Sequence, residues 1–539
     1  MPRTLALGLD FGTSSCRALL VDVATGEAAG SGVGAYPSGE SGVLGSVADP
    51  LVARQRPGDY RTSAAEACRA ALAQAEGEVV GIGVDTTAST PIPVDGRCVP
   101  LADQPGFEED LDAMAWLWKD HSAHAEAAEV TSRASELPYL GRCGGAYSSE
   151  WYWSKLLRAR RSAPAVASSA CAWLELQDYV PAWLCGAASP RSVARGVCAA
   201  GHKGLWSQDW GGFPSEDFLT GLDPRLSQWC AALGTTCLPA GSLAGRLAAE
   251  PARLLGLPPG IPVSVGAIDA HLGAVGAGVR LGRLVKILGT SSCDILVGGP
   301  ETPLVEGVSG VVPDSVLPGY VGIEAGQAAV GDLFDWWARL VGSDVGALGE
   351  AAGQARPGQS GLLALDWNNG NRNVLSDPLL SGLLVGQTLR TTAAEGSRAM
   401  VEATAFGARR ILAQIEGAGV PVEEIVVCGG GASRSPFVMQ VYADVLGRPM
   451  LGCPDTQACA RGAAICGAVA AGALPDLPTA VAGMSAPTVG GWTPQPDAQR
   501  VYDELYGLWL SVHDSFGRGA ATDLGGLMAR LHAVRGRAS

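Results

Sequence analysis

At 539 residues the chain is too long for one hydrophobic core, and its 47% apolar fraction is that of a globular protein, so two large domains are expected. The formal net charge is −15, and the 38 Lys and Arg residues form no dense run, which argues against nucleic-acid binding because phosphate neutralisation needs a basic face. No stretch approaches the ~18 apolar residues of a membrane span. No secretory apolar region or cleavage site is read near residue 1, and a cytoplasmic protein is the expectation. The 14 cysteines contain no C-x-x-C and read as reduced core thiols, Cys171, Cys428 and Cys466 among them. Of the six histidines only His121 and His124 are close in sequence, which sets zinc aside.

Taken in order, Leu7 to Asp10 predicts a buried strand, Gly12-Thr13-Ser14-Ser15 a tight turn, and Arg17 to Asp22 a returning strand. Such a turn lets backbone N–H groups and hydroxyls face phosphate oxygens. Asp10, at the strand end, is placed to hold a hydrated Mg²⁺. Thr62 to Glu76 predicts an Ala-rich helix, and Val79 to Asp85 a buried strand ending in a second carboxylate, with Thr86 to Pro91 as a polar loop or a plain capped turn. Trp116 to His121 combines aromatics with hydrogen-bonding groups, as suits a sugar or a core tryptophan pair, whereas Tyr147, Trp151, Tyr152 and Trp153 read as packing. Ser154 to Leu184 is helical in pattern, with Pro181 at a helix start. Gly201 to Trp206 reads as a loop in which Lys203 has the composition of a surface cation.

Asp269 follows a strand and opens a small-residue helix, Ala270 to Ala277. It reads either as an N-cap or as a carboxylate kept ionised by the helix N-terminus and able to take a proton from a hydroxyl. The words of the first turn return at Gly289-Thr290-Ser291-Ser292-Cys293, between apolar strands. One such turn is an ordinary hairpin; two indicate two similar domains closing on one nucleotide. Glu324 ends a further strand beside glycines, and Asp366 to Arg372 and Ser381 to Gln387 are polar turns. Ala393 to Glu416 is a long amphipathic helix. Strand 424–428 then runs into Gly429-Gly430-Gly431-Ala432-Ser433 and a helix from Pro436, an arrangement in which an adenosine lies flat on backbone. Ala460 to Ala471 is a small-residue helix suited to packing on that loop, and a last amphipathic helix spans Ala498 to Phe516, in a tail to which no chemistry is assigned.

Together, Asp10-Phe11-Gly12-Thr13, Asp85 to Pro91, Trp116 to His121, Gly201-His202-Lys203, Asp269-Ala270-His271, Asp366 to Arg372, Ser381 to Gln387 and Cys428 to Pro436 resemble the FGGY carbohydrate kinases, over nearly the whole chain and in family order. Within that family the likeness is to bacterial kinases of L-ribulose. The resemblance implies an α/β fold of two actin/Hsp70-like (ribonuclease H-like) ATPase domains with a central cleft. It implies a sugar-binding domain over 1–278, an ATP-binding domain over 279–475 and a helical tail over 476–539. It makes Asp269 the general base, also touching sugar, and places Ala88, Lys203 and Glu324 on the sugar. Thr13, Ser14, Gly289 and Thr290 fall on the ATP phosphates, Gly429, Gly430, Gly431 and Ser433 on adenosine, and Asp10 on Mg²⁺. The implied reaction is ATP-dependent phosphorylation of L-ribulose at O5 by a cytoplasmic homodimer, in L-arabinose use. A kinase of another ketopentose or a pentitol is the alternative, and a non-catalytic sugar- or nucleotide-binding protein a more distant one. Arg56 departs from the family, which has His at this point of Gln55 to Tyr60, and the glycine loop differs after Gly430.

Overall fold

The computed structural model describes residues 3–519, 524 and 527–538. Two seven-stranded sheets organise them. In the first, β1 (Thr4–Phe11) and β2 (Ser15–Asp22) form a hairpin, β3 (Ala28–Ala35) continues it, and β4 (Glu78–Thr86) returns parallel to β1. β5 (Leu243–Arg246), β6 (Pro262–Ser264) and β7 (Ala267–Ile268) complete it, with β6 and β7 parallel to β4 and β5 antiparallel at the edge. The second sheet holds β8 (Gly282–Leu288), β9 (Ser292–Gly298), β10 (Gly310–Pro313), β11 (Val321–Ala325), β12 (Val422–Gly429), β13 (Met450–Gly452) and β14 (Val489–Trp492), in the order β10-β11-β9-β8-β12-β13-β14. Its plan repeats the first: a hairpin (β8, β9), an antiparallel third strand (β11), and β12 parallel to β8. The repeated turn sequence is thus the visible part of a repeated sheet.

Seven of the eight residues of β1 are buried, as expected of a central strand covered on both faces. The β1–β4 register sets Asp10 opposite Asp85, and β7 pairs Ala267 with Asp85. Asp10, Asp85 and Asp269 therefore leave neighbouring strands at one sheet edge, the position at which open α/β sheets bind ligands.

The helices that matter for the site are α1 (Pro57–Leu72), α2 (Tyr152–Ser162), α3 (Leu176–Cys185), α4 (Val197–His202), α5 (Asp269–Gly276), α6 (Ala393–Gly417), α7 (Ala458–Ala470) and α8 (Pro496–Gly517). α1 begins at Pro57 rather than Thr62, since Pro is preorganised for a first helical turn. The span read as one helical pattern over 154–184 is broken: after α2 and a six-residue helix, Pro164–Ser169, the strand Ala172–Glu175 pairs with Pro91–Val94 before α3 begins. Pro181 lies inside α3, where its missing N–H forgoes one helical bond, and not at a helix start. Gly201 and His202 end α4 rather than lying in a loop. Cys171 is exposed, unlike the core thiols Cys428 and Cys466; all 14 cysteines are free.

The small residues of α7 serve a different contact from the one expected on the glycine loop. α7 lies against β1, β4 and α5, with backbone nearly touching backbone. A Cβ on Gly8 would sit 1.7 Å from the Ala460 carbonyl oxygen, one on Gly83 1.7 Å from that of Ala463, and one on Gly276 1.9 Å from that of Ala458. A helix from the second half thus closes the first sheet. The region after residue 475 is more than helix. β14 supplies the edge of the second sheet, and Tyr502, Leu505 and Trp509 of α8 are buried in that half's core.

These contacts leave no room for a methyl group. Gly83→Ala is expected to cost about 3 kcal/mol or more, because helix backbone must retreat. Gly483→Ala, which meets open space inside the helix Leu477–Met484, is expected to be neutral or stabilising by up to about 1 kcal/mol. Urea melts of the two variants read both effects.

Candidate active site

At the carboxylate edge Asp10 and Asp85 are buried and Asp269 half-buried, and all three are short of partners. Asp10 accepts one long contact, from Arg17 Nη1 at 3.4 Å. Asp85 is fully buried, and neither of its oxygens has a hydrogen-bond partner. Asp269 occupies the first position of α5, where its Oδ1 accepts only the N–H of Ala270, at 2.6 Å. It does not reach the N–H groups one turn on, so the N-cap role does not apply. Burial raises all three carboxyls. For Asp10 the Arg17 guanidinium opposes the rise. For Asp85 the charges of Asp10 and Asp269 add to it. Asp269 is pushed up to about 7, by burial first and then by Asp10, so the helix N-terminus does not prevail as expected. The carboxylate oxygens of Asp10 and Asp85, on paired strands and with those of Asp85 unpartnered, are the hard donors that Mg²⁺ prefers, so these residues fit that cation.

Next to this edge stands a second polar group, built from both halves. Lys203, which follows α4, places its Nζ 2.7 and 2.9 Å from the two oxygens of Glu324 on β11. Its carbonyl accepts the Tyr147 hydroxyl, and the Trp151 ring centroid lies 5.4 Å from Nζ. The aromatic cluster read as packing therefore also braces a charged residue. His202 Nδ1 and His271 Nε2 lie 3.4 and 3.6 Å from Glu324 Oε2, with their rings 4.5 Å apart. Burial lowers both imidazoles, His271 to about 4, so they are neutral at neutral pH. Burial alone would raise Glu324, but the Lys203 ammonium outweighs it and holds this carboxyl well below its usual range, joined by the two histidines only in acid, where their rings carry charge. Sequence spacing set zinc aside, yet the fold gathers His202, His271 and Glu324 with ligand atoms within 4.8 Å of one another. Lys203 already engages both Glu324 oxygens. Both histidines stood in motifs singled out from the sequence, without a role.

Ala88 is the one residue of the stretch Asp85 to Thr90 that is not buried. Trp116 is buried under the Arg54 guanidinium, 3.5 Å from its ring centroid, and Trp118 donates through Nε1 to Thr13 Oγ1 at 3.0 Å. That aromatic segment, read from the sequence as suited to a sugar or as a core tryptophan pair, braces the first glycine turn. Arg56 lies at the periphery, donating to the Glu108 carbonyl at 2.7 Å.

The residues expected on the nucleotide are open to solvent: Ser14, Gly289, Thr290, Gly429, Gly430 and Gly431 are exposed, and Thr13 and Ser433 half-buried. Thr13 is fixed by its carbonyl, which accepts Gln55 Nε2 at 2.7 Å. Gly430 N–H donates to the Leu288 carbonyl at 2.8 Å, which ties the glycine loop to the end of β8, just before Gly289. Gly429 has φ of 123°, and a Cβ there would lie 2.2 Å from Leu288 oxygen, so only glycine fits.

The raised carboxyl of Asp269 makes a prediction about stability. A folded-state pKa of about 7, above the unfolded ~3.9, means that its contribution is fully present below pH ~4 and is lost as pH rises through 7. In metal-free buffer Asp269→Asn is expected to melt at a higher temperature than the wild type at pH 8, with the difference shrinking toward pH 4. Equal melting temperatures at pH 8 would remove the burial argument.

Comparison with known proteins agrees with this geometry. Residues 284–471 match the C-terminal domain of the FGGY family of carbohydrate kinases. The chain is 39% identical to a ribulokinase of Geobacillus thermodenitrificans, with 96% of each chain covered. It is 37% identical to a ribulokinase of Vibrio parahaemolyticus, over 94% of this chain and 95% of that one. Among solved structures, xylulose kinase from Rhodospirillum rubrum superposes with a TM-score of 0.79 at 24% identity, over 95% of this chain and 98% of that one. A ligand-bound xylulose kinase from Lactobacillus acidophilus superposes with 0.78 at 18%, over 96% and 100%. The fold is the two-domain actin/Hsp70-like fold of the sugar kinases, as expected. The protein is a sugar kinase, an ATP-using phosphotransferase, and the chain belongs to the FGGY family of carbohydrate kinases.

Proposed function

We propose that this kinase phosphorylates L-ribulose at O5, giving L-ribulose 5-phosphate, as a step in L-arabinose use. The observation that carries the reading is the Lys203–Glu324 pair beside Asp269, a polar wall made jointly by both halves of the chain. Full-length relatives named ribulokinase support the choice of sugar. Ala88, Lys203, Glu324 and Asp269 hold the hydroxyls in this reading. Asp269, in its ionised form, takes the proton of the attacking 5-hydroxyl, and a carboxylate whose pKa lies near the working pH suits that task. Thr13, Ser14, Gly289 and Thr290 face the ATP phosphates through N–H and hydroxyl donors, and Gly429, Gly430, Gly431 and Ser433 support adenosine. Asp10 holds Mg²⁺, which when bound neutralises charge on the phosphoryl oxygens during in-line transfer. We take residues 1–278 as the sugar half, 279–475 as the ATP half and 476–539 as an addition to the latter. Closure of the halves excludes water from the transfer. A homodimer in the cytoplasm completes the proposal. It fits the free thiols and the lack, among the described residues, of a helix long and apolar enough to cross a membrane.

ADP release with Mg·ATP against L-ribulose, D-ribulose, L- and D-xylulose, ribitol and no sugar tests this. The highest kcat/KM is expected with L-ribulose. A higher value with another sugar overturns the substrate, and turnover that no sugar stimulates overturns the kinase reading in favour of a binding protein. Asp269→Asn is expected to lower kcat about 10²–10⁴-fold, and near-normal turnover would remove Asp269 as the base.

A further inference from the structure

Beneath the sugar-side loop lies a fully buried cation whose task is unassigned. Lys155, on α2, is 0% exposed. Its Nζ donates to three backbone carbonyls: Ser89 at 2.7 Å, Leu117 at 2.8 Å and Trp116 at 3.3 Å. Ser89 belongs to the loop that presents Ala88. Trp116 and Leu117 precede Trp118, whose indole N–H holds Thr13 Oγ1 at 3.0 Å. One ammonium thus joins the loop beside the sugar to the loop beside the phosphates.

Glu175 grips the same loop from its other side. Its Oε1 accepts the Ser89 hydroxyl, and its Oε2 accepts the Thr90 N–H at 2.8 Å. Ser89 is therefore held through its carbonyl by Lys155 and through its hydroxyl by Glu175, while Thr90 oxygen accepts the Leu176 N–H at 3.0 Å. The charges near Lys155 are Asp120, Glu175 and Glu150 on the acidic side and Arg54 on the basic side. Asp120 is committed to Arg54, to the Ala53 N–H and to Ser122. A buried ammonium spent on carbonyls is an expensive way to stabilise a fold, since apolar residues fill such space at less cost. What it adds is a fixed distance between two backbone segments.

We propose that Lys155 is a positioning residue that locks the Ala88 loop to the Trp116–Trp118 segment and so sets the sugar against the Thr13 turn, with Glu175 as its counterpart. The inference rests on the sugar-kinase reading above and goes beyond it, because that reading gives neither side chain a contact with sugar or nucleotide and the hydrogen bonds of both go to protein groups. Removing the ammonium frees the Ser89 carbonyl and lets the loop drift, which costs sugar binding ahead of chemistry.

The test compares wild type, Lys155→Met and Glu175→Gln in sugar-dependent ADP release, with melting temperature recorded for each. Lys155→Met is expected to raise the sugar KM about ten- to a hundredfold, the worth of a charge-assisted hydrogen bond, with kcat within about threefold. Glu175→Gln, which keeps one acceptor, is expected to raise the sugar KM about three- to tenfold. A purely structural role predicts a lower melting temperature and less active protein, hence lower apparent kcat at unchanged KM, and that result overturns the proposal. If Lys155→Met fails to fold, Glu175→Gln decides it alone, and an unchanged KM there overturns it. A wild type that no sugar stimulates removes the kinase reading itself, whereas an active wild type with unshifted variants removes only this inference.

Discussion

The contact on which the rest depends is that of α7 with the first sheet. Helix and strand meet with no side chains between them, since Gly8, Gly81 and Gly83 face the carbonyl oxygens of Ala460, Gly467 and Ala463. Gly276 of α5 meets Ala458 in the same way. The strands and helix so fixed are the ones that carry Asp10, Asp85 and Asp269. Backbone against backbone has no rotamer to relax, so three carboxylates are held together where burial opposes their ionisation. A looser interface would let them part.

That rigidity is confined to one side of the cleft. Across it the halves meet through Val312, packed on Val197, Ala200 and Trp206, and through polar contacts: Lys203 with Glu324, Arg142 with the Val311 carbonyl at 2.9 Å, and Arg372 with Glu150 at 3.5 Å. Such contacts can be remade, as a cleft that admits and releases substrates requires. The polar group beside Asp269 is then complete only when Glu324 of the second half lies on Lys203 of the first. Asp269 feels both charges, the Glu324 carboxylate raising its pKa and the Lys203 ammonium lowering it. In the proposed function, sugar contact and proton acceptance are thereby joined in one electrostatic group.

Much of this was legible in the chain because local chemistry encoded it. The repeated Gly-Thr-Ser-Ser-Cys marked the repeated sheet, and apolar runs ending in Asp10, Asp85 and Glu324 marked strand ends at the cleft. Asp269 opened its helix as predicted, and the family likeness supplied roles that spacing alone left open. What stayed hidden depended on tertiary contact. The orphaned oxygens of Asp85, and the meeting of His202, His271 and Glu324, come from residues far apart in the chain. The strand Ala172–Glu175 sits inside a helical pattern, because pairing with Pro91–Val94 overrides local preference. The small residues of α7 were visible, but nothing local named the strands they would cover. Lys155 lay unremarked in a stretch read as helical; its burial and three carbonyl partners exist only in the fold.

The most direct test of the account is the chemical fate of the γ-phosphoryl group, read by ³¹P NMR with proton correlation on the reaction of L-ribulose with Mg·ATP. A phosphomonoester whose phosphorus couples to the C5 methylene protons, formed by the wild type and absent with Asp269→Asn, is the predicted result. Inorganic phosphate alone, or a phosphoryl group on another carbon, would contradict a site in which Asp269, Lys203 and Glu324 direct the 5-hydroxyl to ATP.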